Sequence, residues 1–141
     1  MTPPFRARTI YAVSQLYRTA AVSNAVVTLP AFISYQRYVS TFATGREPNY
    51  PFLVRIWAGM ALLWGVSFWD ISKDPIKHRD LIKYSYLEKL VTSAAVLNAY
   101  RPDRDGRREV PRRLVGLVLV TDAMWIPMFV WAQLKIKKAM T

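Results

Sequence analysis

At 141 residues the chain has room for one domain of ordinary size or one small membrane bundle. Lys and Arg number 20 against 9 Asp and Glu, a formal net charge of +11, yet 52% of residues are hydrophobic and 13% aromatic, which excludes a disordered basic chain. With no Cys and a single His, His78, there is no material for disulfides, thiolate catalysis, Cys-ligated zinc, iron–sulfur clusters, covalent haem or a multi-histidine metal site.

The charges avoid four stretches, and each stretch, with its flanks, reaches the roughly 20 residues a helix needs to cross the hydrocarbon core. Thr19 to Gln36 carries no charged residue and predicts a first span over 12–35. Arg6 and Arg8 precede it without a small-residue cleavage site, so this helix is expected to act as its own signal anchor. Ile56 to Trp69 is also uncharged; extended by Pro51-Phe52-Leu53-Val54, it predicts a second span over 51–71. The third, over 81–100, holds Lys83, Glu88 and Lys89 among apolar and small residues. The fourth, over 113–134, contains only Asp122 between Leu114 and Leu134. The expectation is an all-α integral membrane bundle of four transmembrane helices, one domain over 1–141 with both termini on one side. The alternative is a soluble four-helix protein with unusually apolar helices.

The punctuation fits this division. Arg46-Glu47-Pro48-Asn49-Tyr50-Pro51 closes the first loop, Lys73-Asp74-Pro75 ends the second helix, and Arg101 to Arg108 separates the third from the fourth. Pro30 and Pro127 fall inside helices, where membrane neighbours can satisfy the freed carbonyls. Tyr35, Tyr38, Tyr50, Trp69, Tyr100 and Trp131 sit near span ends, as interfacial aromatics do. Arg6, Arg8, Lys73, Lys77, Arg79, Lys83, Lys135, Lys137 and Lys138 share one side; Arg37, Arg46, Arg55, Arg101, Arg104, Arg107, Arg108, Arg112 and Arg113 share the other. The positive-inside rule therefore returns a tie, and both faces suit anionic lipids or acidic partner proteins. Once the spans are removed, no basic surface with interleaved aromatics remains for nucleic acid. The expected location is a bacterial inner membrane, cytoplasmic or photosynthetic. Since no acid precedes Glu47, an organellar inner membrane is the lesser alternative.

Charges at membrane depth are the most informative feature. Lys89 and Asp122 lie roughly 16 and 12 Å from the same loop side at ~1.5 Å per residue, within reach of each other on antiparallel neighbours. Arg18 and Glu88 form a second match near the opposite helix ends. Unpaired, each charge would cost about 2.5–3.5 kcal/mol at a helix centre, so pairing is expected, either to fix helix register or to build a polar pocket that Asn24 joins. On the second helix Trp57, Met60, Trp64 and Phe68 share one face, a candidate contact for a partner helix or a lipid tail. His78-Arg79-Asp80-Leu81 spells the start of a kinase catalytic loop but lacks its asparagine and any upstream Gly-rich loop; Asp80 reads as a first-turn residue on the helix dipole. Asp103-Arg104-Asp105-Gly106 lacks the remaining ligands of a calcium loop and reads as a solvated turn.

Leu16-Tyr17-Arg18 followed by Ala21, Asn24 and Pro30, then Arg55-Ile56-Trp57-Ala58-Gly59, then Asp74 to Asp80, Glu88-Lys89-Leu90 and Thr121-Asp122-Ala123, occur in an order that resembles the small four-helix bacterial membrane proteins grouped as DoxX-like. The resemblance covers most of 14–136 and implies the bundle; it also implies association with quinone-linked or other membrane redox partners. With no nucleophile–base pair and no metal site, a non-enzymatic role is expected: an accessory or structural subunit packed against a larger respiratory or photosynthetic membrane complex. The alternative is a bundle that binds a quinone or another lipid-soluble redox ligand near Lys89, Asp122, Arg18 and Glu88, with carotenoid or lipid as further candidates.

Overall fold

In the computed structural model, which describes residues 3–34, 36, 51–102, 104, 106 and 112–141, every regular element is helical. Helix α1 runs Pro3–Ile33, α2 Pro51–Lys73 and α3 Arg79–Tyr100. The fourth rod is broken into α4 (Arg112–Val118), a π-helical segment Leu119–Ala123, and α5 (Trp125–Met140). The first helix thus begins well before residue 12, because Pro3 and Pro4 occupy a first turn that needs no backbone N–H donors. Tyr35, Tyr38 and Tyr50 lie outside the described residues, as do most loop residues between α1 and α2.

Paired residues fix the helix directions. Along α1, Tyr17, Asn24 and Phe32 meet Phe68, Ala61 and Gly59 of α2 in reverse order, so these two helices are antiparallel. Among the described residues, α1 packs along α2 and against α5, while α3 packs along the fourth rod and touches α2. Neighbours in sequence are therefore neighbours in space. The 74–78 turn lies at the end where α1 begins and α5 finishes.

That turn is built locally. Pro75 is fully buried and stops α2, since the residue before a proline is pushed out of the helical region. The Asp74 carboxylate accepts a hydrogen bond from the Lys77 backbone N–H at 3.0 Å, and the His78 N–H donates to the Asp74 carbonyl at 3.1 Å. Asp80 stands in the first turn of α3. The kinase-like tetrapeptide is thus a helix start.

Two helices, Phe5–Ile33 and Val115–Met140, are long and apolar enough to cross a membrane. Much of what the rods turn outward is also apolar: Val22, Val26 and Leu29 on α1, Ile56, Met60 and Leu63 on α2, Val91 on α3 and Leu134 on α5.

The interior divides in two. Toward the termini, α1, α2, α3 and α5 enclose large side chains: Tyr17, Phe68, Ile71, Ile82, Phe129 and Ile136 are all buried. Tyr17 stacks on Phe129 at 4.9 Å between ring centroids, meets Phe68 edge-on at 5.9 Å, and Phe68 lies 5.2 Å from Phe129. Trp125 extends the stack at 5.7 Å from Phe129. Toward the other end the buried positions are smaller: Thr28 and Ala31 on α1, Ala58 and Ala61 on α2, Ser93 on α3, and Val115 and Val118 on the fourth rod. Small residues let helix backbones approach closely, but here they also leave space between the rods.

Candidate functional site

The site lies where these two halves meet. Lys89 faces inward from the middle of α3, with a side chain only 5% exposed. Its Nζ donates to Asp122 Oδ1 on the fourth rod at 2.9 Å and lies 3.2 Å from Glu88 Oε2. The Asp122 and Glu88 side chains are themselves 14% and 19% exposed. One ammonium therefore sits between two carboxylates in a nearly dry interior, where leaving any of the three unpaired costs several kcal/mol, on the order of 3–5.

The local chemistry of each helix explains the placement. Asp122 belongs to the π-helical segment, and Ala123, its neighbour, stands four residues before Pro127. Proline has no N–H to return to that carbonyl, and its ring clashes with it in a regular α-helix. The widened turn relieves both problems. Such π-bulges cluster at functional sites because they re-aim one or two side chains. Here the bulge carries Asp122 at the level of Lys89. The two contacts of Lys89 with its carboxylates differ in kind. Glu88 Oε2 is close enough for an ion pair but lies outside hydrogen-bond geometry, so this buried oxygen has no hydrogen-bond partner among the described residues. Glu88 Oε1 accepts from Thr92 Oγ1 at 3.3 Å. The face of Phe68 completes the lysine's surroundings, 5.9 Å from Nζ.

A cavity of about 30 Å³ opens from this cluster into the small-residue half. Ser23, Asn24 and Thr28 line it from α1, Trp57 and Ala61 from α2, and Thr121 and Trp125 from the fourth rod. By volume it has room for about two water-sized groups. Its polar walls are largely committed to helix carbonyls: Asn24 Nδ2 donates across to the Ala61 carbonyl of α2 at 2.6 Å, and within their own helices Thr28 Oγ1 donates to the Asn24 carbonyl at 2.7 Å and Thr121 Oγ1 to the Leu117 carbonyl at 2.9 Å.

Lys89, Asp122, Glu88 and Asn24 therefore line a single cavity. Arg18 does not join them. It is exposed, with its guanidinium over the Trp69 ring at 5.8 Å, because it follows the fully buried Tyr17 by one residue and so points about 100° away. Glu88 is paired by the adjacent Lys89 instead. The aromatic face of α2 also splits. Met60 is 55% exposed and Trp57 lies at the cavity rim, half outward. Trp64 packs partly buried against the core, and Phe68 is fully buried inside it, which takes Phe68 away from any partner or lipid tail. Sequence reasoning passed over Trp125 and Phe129. The signal was present: from Val115, Val118 and Asp122 the spacing continues through Trp125, Phe129, Ala132 and Ile136 as one inward stripe. Among the described residues no group of His, Asp and Glu is arranged to hold a metal ion.

No protein-family model, no curated protein and no solved structure matches the chain.

Proposed function

We propose that this chain is a four-span integral membrane bundle whose Lys89–Asp122–Glu88 cluster receives the polar head of a small ligand. The observation that carries this reading is the cavity. A buried ion pair that only locked helix register would be closed over by packing, as Tyr17, Ile82 and Phe129 are, whereas this cluster borders open volume lined by Asn24, Thr28, Thr121 and Trp57. Ionisable groups at membrane depth that face such a space are functional suspects on general grounds. The volume favours a compact head group. A ring the size of a benzene needs about 150 Å³, so a quinone ring requires α1 and the fourth rod to move apart.

The apolar outer faces of all four helices support the four-span reading, with α2 and α3 crossing beside the two longer apolar helices. The absence of Cys makes the test simple. Single cysteines at Ile76 and Thr141 should react with a membrane-impermeant maleimide from one side, and a cysteine at Gly106 from the other. Labelling of Ile76→Cys and Thr141→Cys on opposite sides would overturn four spans. For the ligand, native mass spectrometry of the protein released gently from its own membranes should show a stoichiometric small-molecule adduct that Asp122→Asn removes.

A second reading, an accessory subunit docked on a larger respiratory or photosynthetic complex, is supported by Met60, Leu63, Ile56 and Trp57, which form an outward face on α2. In the same purification, stoichiometric recovery of a large complex that Met60→Arg disperses would favour it.

A further inference from the structure

The strongest hydrogen-bonding groups that the cavity walls leave open are carboxylate acceptors. The hydroxyls of Thr28 and Thr121 donate their protons to their own helices, as does one N–H of Asn24 to α2. What the walls can still offer a guest are Glu88 Oε2, which has no hydrogen-bond partner, the second Asp122 oxygen, Asn24 Oδ1 and the lone pairs of the two threonines. Against these stand the Ser23 hydroxyl, the second N–H of Asn24, the indole N–H groups of Trp57 and Trp125, and whatever donor capacity Lys89 retains beyond its two carboxylates.

The charges point the same way. Glu88, Lys89 and Asp122 are the only ionisable side chains of Asp, Glu, Lys or Arg among those that line the cavity, and by formal count two carboxylates stand against one ammonium. In a low-dielectric interior such an excess attracts a cation. Trp57, Phe68 and Trp125 add aromatic rings to the lining; such rings favour a cation over their faces.

We propose that the cavity beside Lys89, Glu88 and Asp122 takes a primary ammonium group, as ammonium itself or the head of a small alkylamine, with its N–H bonds directed at Glu88 Oε2, Asp122 and Asn24. This rests on the ligand-binding reading above and names its ligand class. Size agrees: methylammonium has two heavy atoms, and the cavity of about 30 Å³ holds about two water-sized groups.

The test measures the unfolding temperature of the full chain in mild detergent, at ionic strength held constant with sodium chloride. The probes are methylammonium, tetramethylammonium, which has no N–H and is larger, and acetone, which presents a carbonyl acceptor on a small body. Methylammonium is expected to raise Tm saturably while the other two leave it unchanged. Glu88→Gln, which removes the excess charge and keeps the shape, should weaken methylammonium binding about tenfold or more, the difference between a charge-assisted and a neutral pairing. Asp122→Asn gives the same reading should Glu88→Gln not fold. Saturable stabilisation by acetone or tetramethylammonium, or unchanged methylammonium affinity in both variants, overturns the ammonium assignment and leaves a ligand site standing. If no probe stabilises saturably, the ligand-binding reading falls with it.

Discussion

The two ends of this bundle are made of the same four helices but solve different problems. At the end that holds the termini, Tyr17, Phe68, Ile71, Ile82, Phe129 and Ile136 fill the space between the rods with large side chains. At the other, Thr28, Ala58, Ala61, Ser93 and Val118 occupy inward positions and leave a cavity. The charged cluster sits at the boundary. The aromatic end gives the helices a rigid register, and that rigidity keeps three charges in place beside an open space. A bundle packed to its full length would have no site; one hollow throughout would have nothing to hold Lys89 against Asp122.

The contrast can be broken most severely at its two anchors. Lys89→Met leaves Glu88 and Asp122 facing each other without a counter-charge, and should lower stability by about 3–5 kcal/mol in a mixed-micelle unfolding titration. Phe129→Ala removes the ring that touches Tyr17, Phe68 and Trp125, and should cost a similar ~3–5 kcal/mol in the same assay. The two variants differ in kind: Phe129→Ala should leave methylammonium affinity unchanged in whatever fraction folds, and Lys89→Met, which leaves two carboxylates without their own ammonium, should tighten it.

A matched pair of substitutions sharpens the comparison. Ser85 is fully buried in the packed end, so Ser85→Val should cost about 1–3 kcal/mol through overpacking. Ser23 lines the cavity, and Ser23→Val should change stability by less than about 0.5 kcal/mol while reducing ligand affinity. Equal costs at the two sites, measured side by side, would erase the distinction between the ends. The smallest effect concerns the bulge. Pro127→Ala restores the missing N–H opposite Ala123 and should let the π-segment tighten toward a regular helix. Stability should change by about 1 kcal/mol or less, while ligand binding suffers because Asp122 turns relative to Lys89.

Much of this arrangement is legible in the sequence, and the parts that are not have physical reasons. Counting helical rise from a shared loop puts Lys89 and Asp122 at similar depth, and in the structure they lie 2.9 Å apart. The same counting paired Arg18 with Glu88, because depth says nothing about which way a side chain faces. Arg18 is one residue past the buried Tyr17 and turns outward. Glu88 meets Lys89 although adjacent residues on a helix do not face each other; the long lysine stem bends back to it. Phe68 shares a face with Trp57 and Trp64 by spacing, yet only the bundle decides that this face turns from the surface into the core along its length. The bulge had a sequence signal in Pro127, five residues after Asp122, but a proline inside a helix leaves the form of the distortion open.

The account rests on one coupled pair across the boundary, and a double-mutant cycle between Lys89→Met and Asp122→Leu tests it most directly. The expected result is strong non-additivity in mixed-micelle unfolding: the double variant should be about 1–3 kcal/mol more stable than the sum of the two single losses predicts, since Lys89→Met strands two carboxylates, Asp122→Leu leaves the Lys89–Glu88 pair, and the double change strands Glu88 alone. Losses that add to within about 0.5 kcal/mol would mean that the two side chains do not interact. The site at the meeting of the two ends would then not exist.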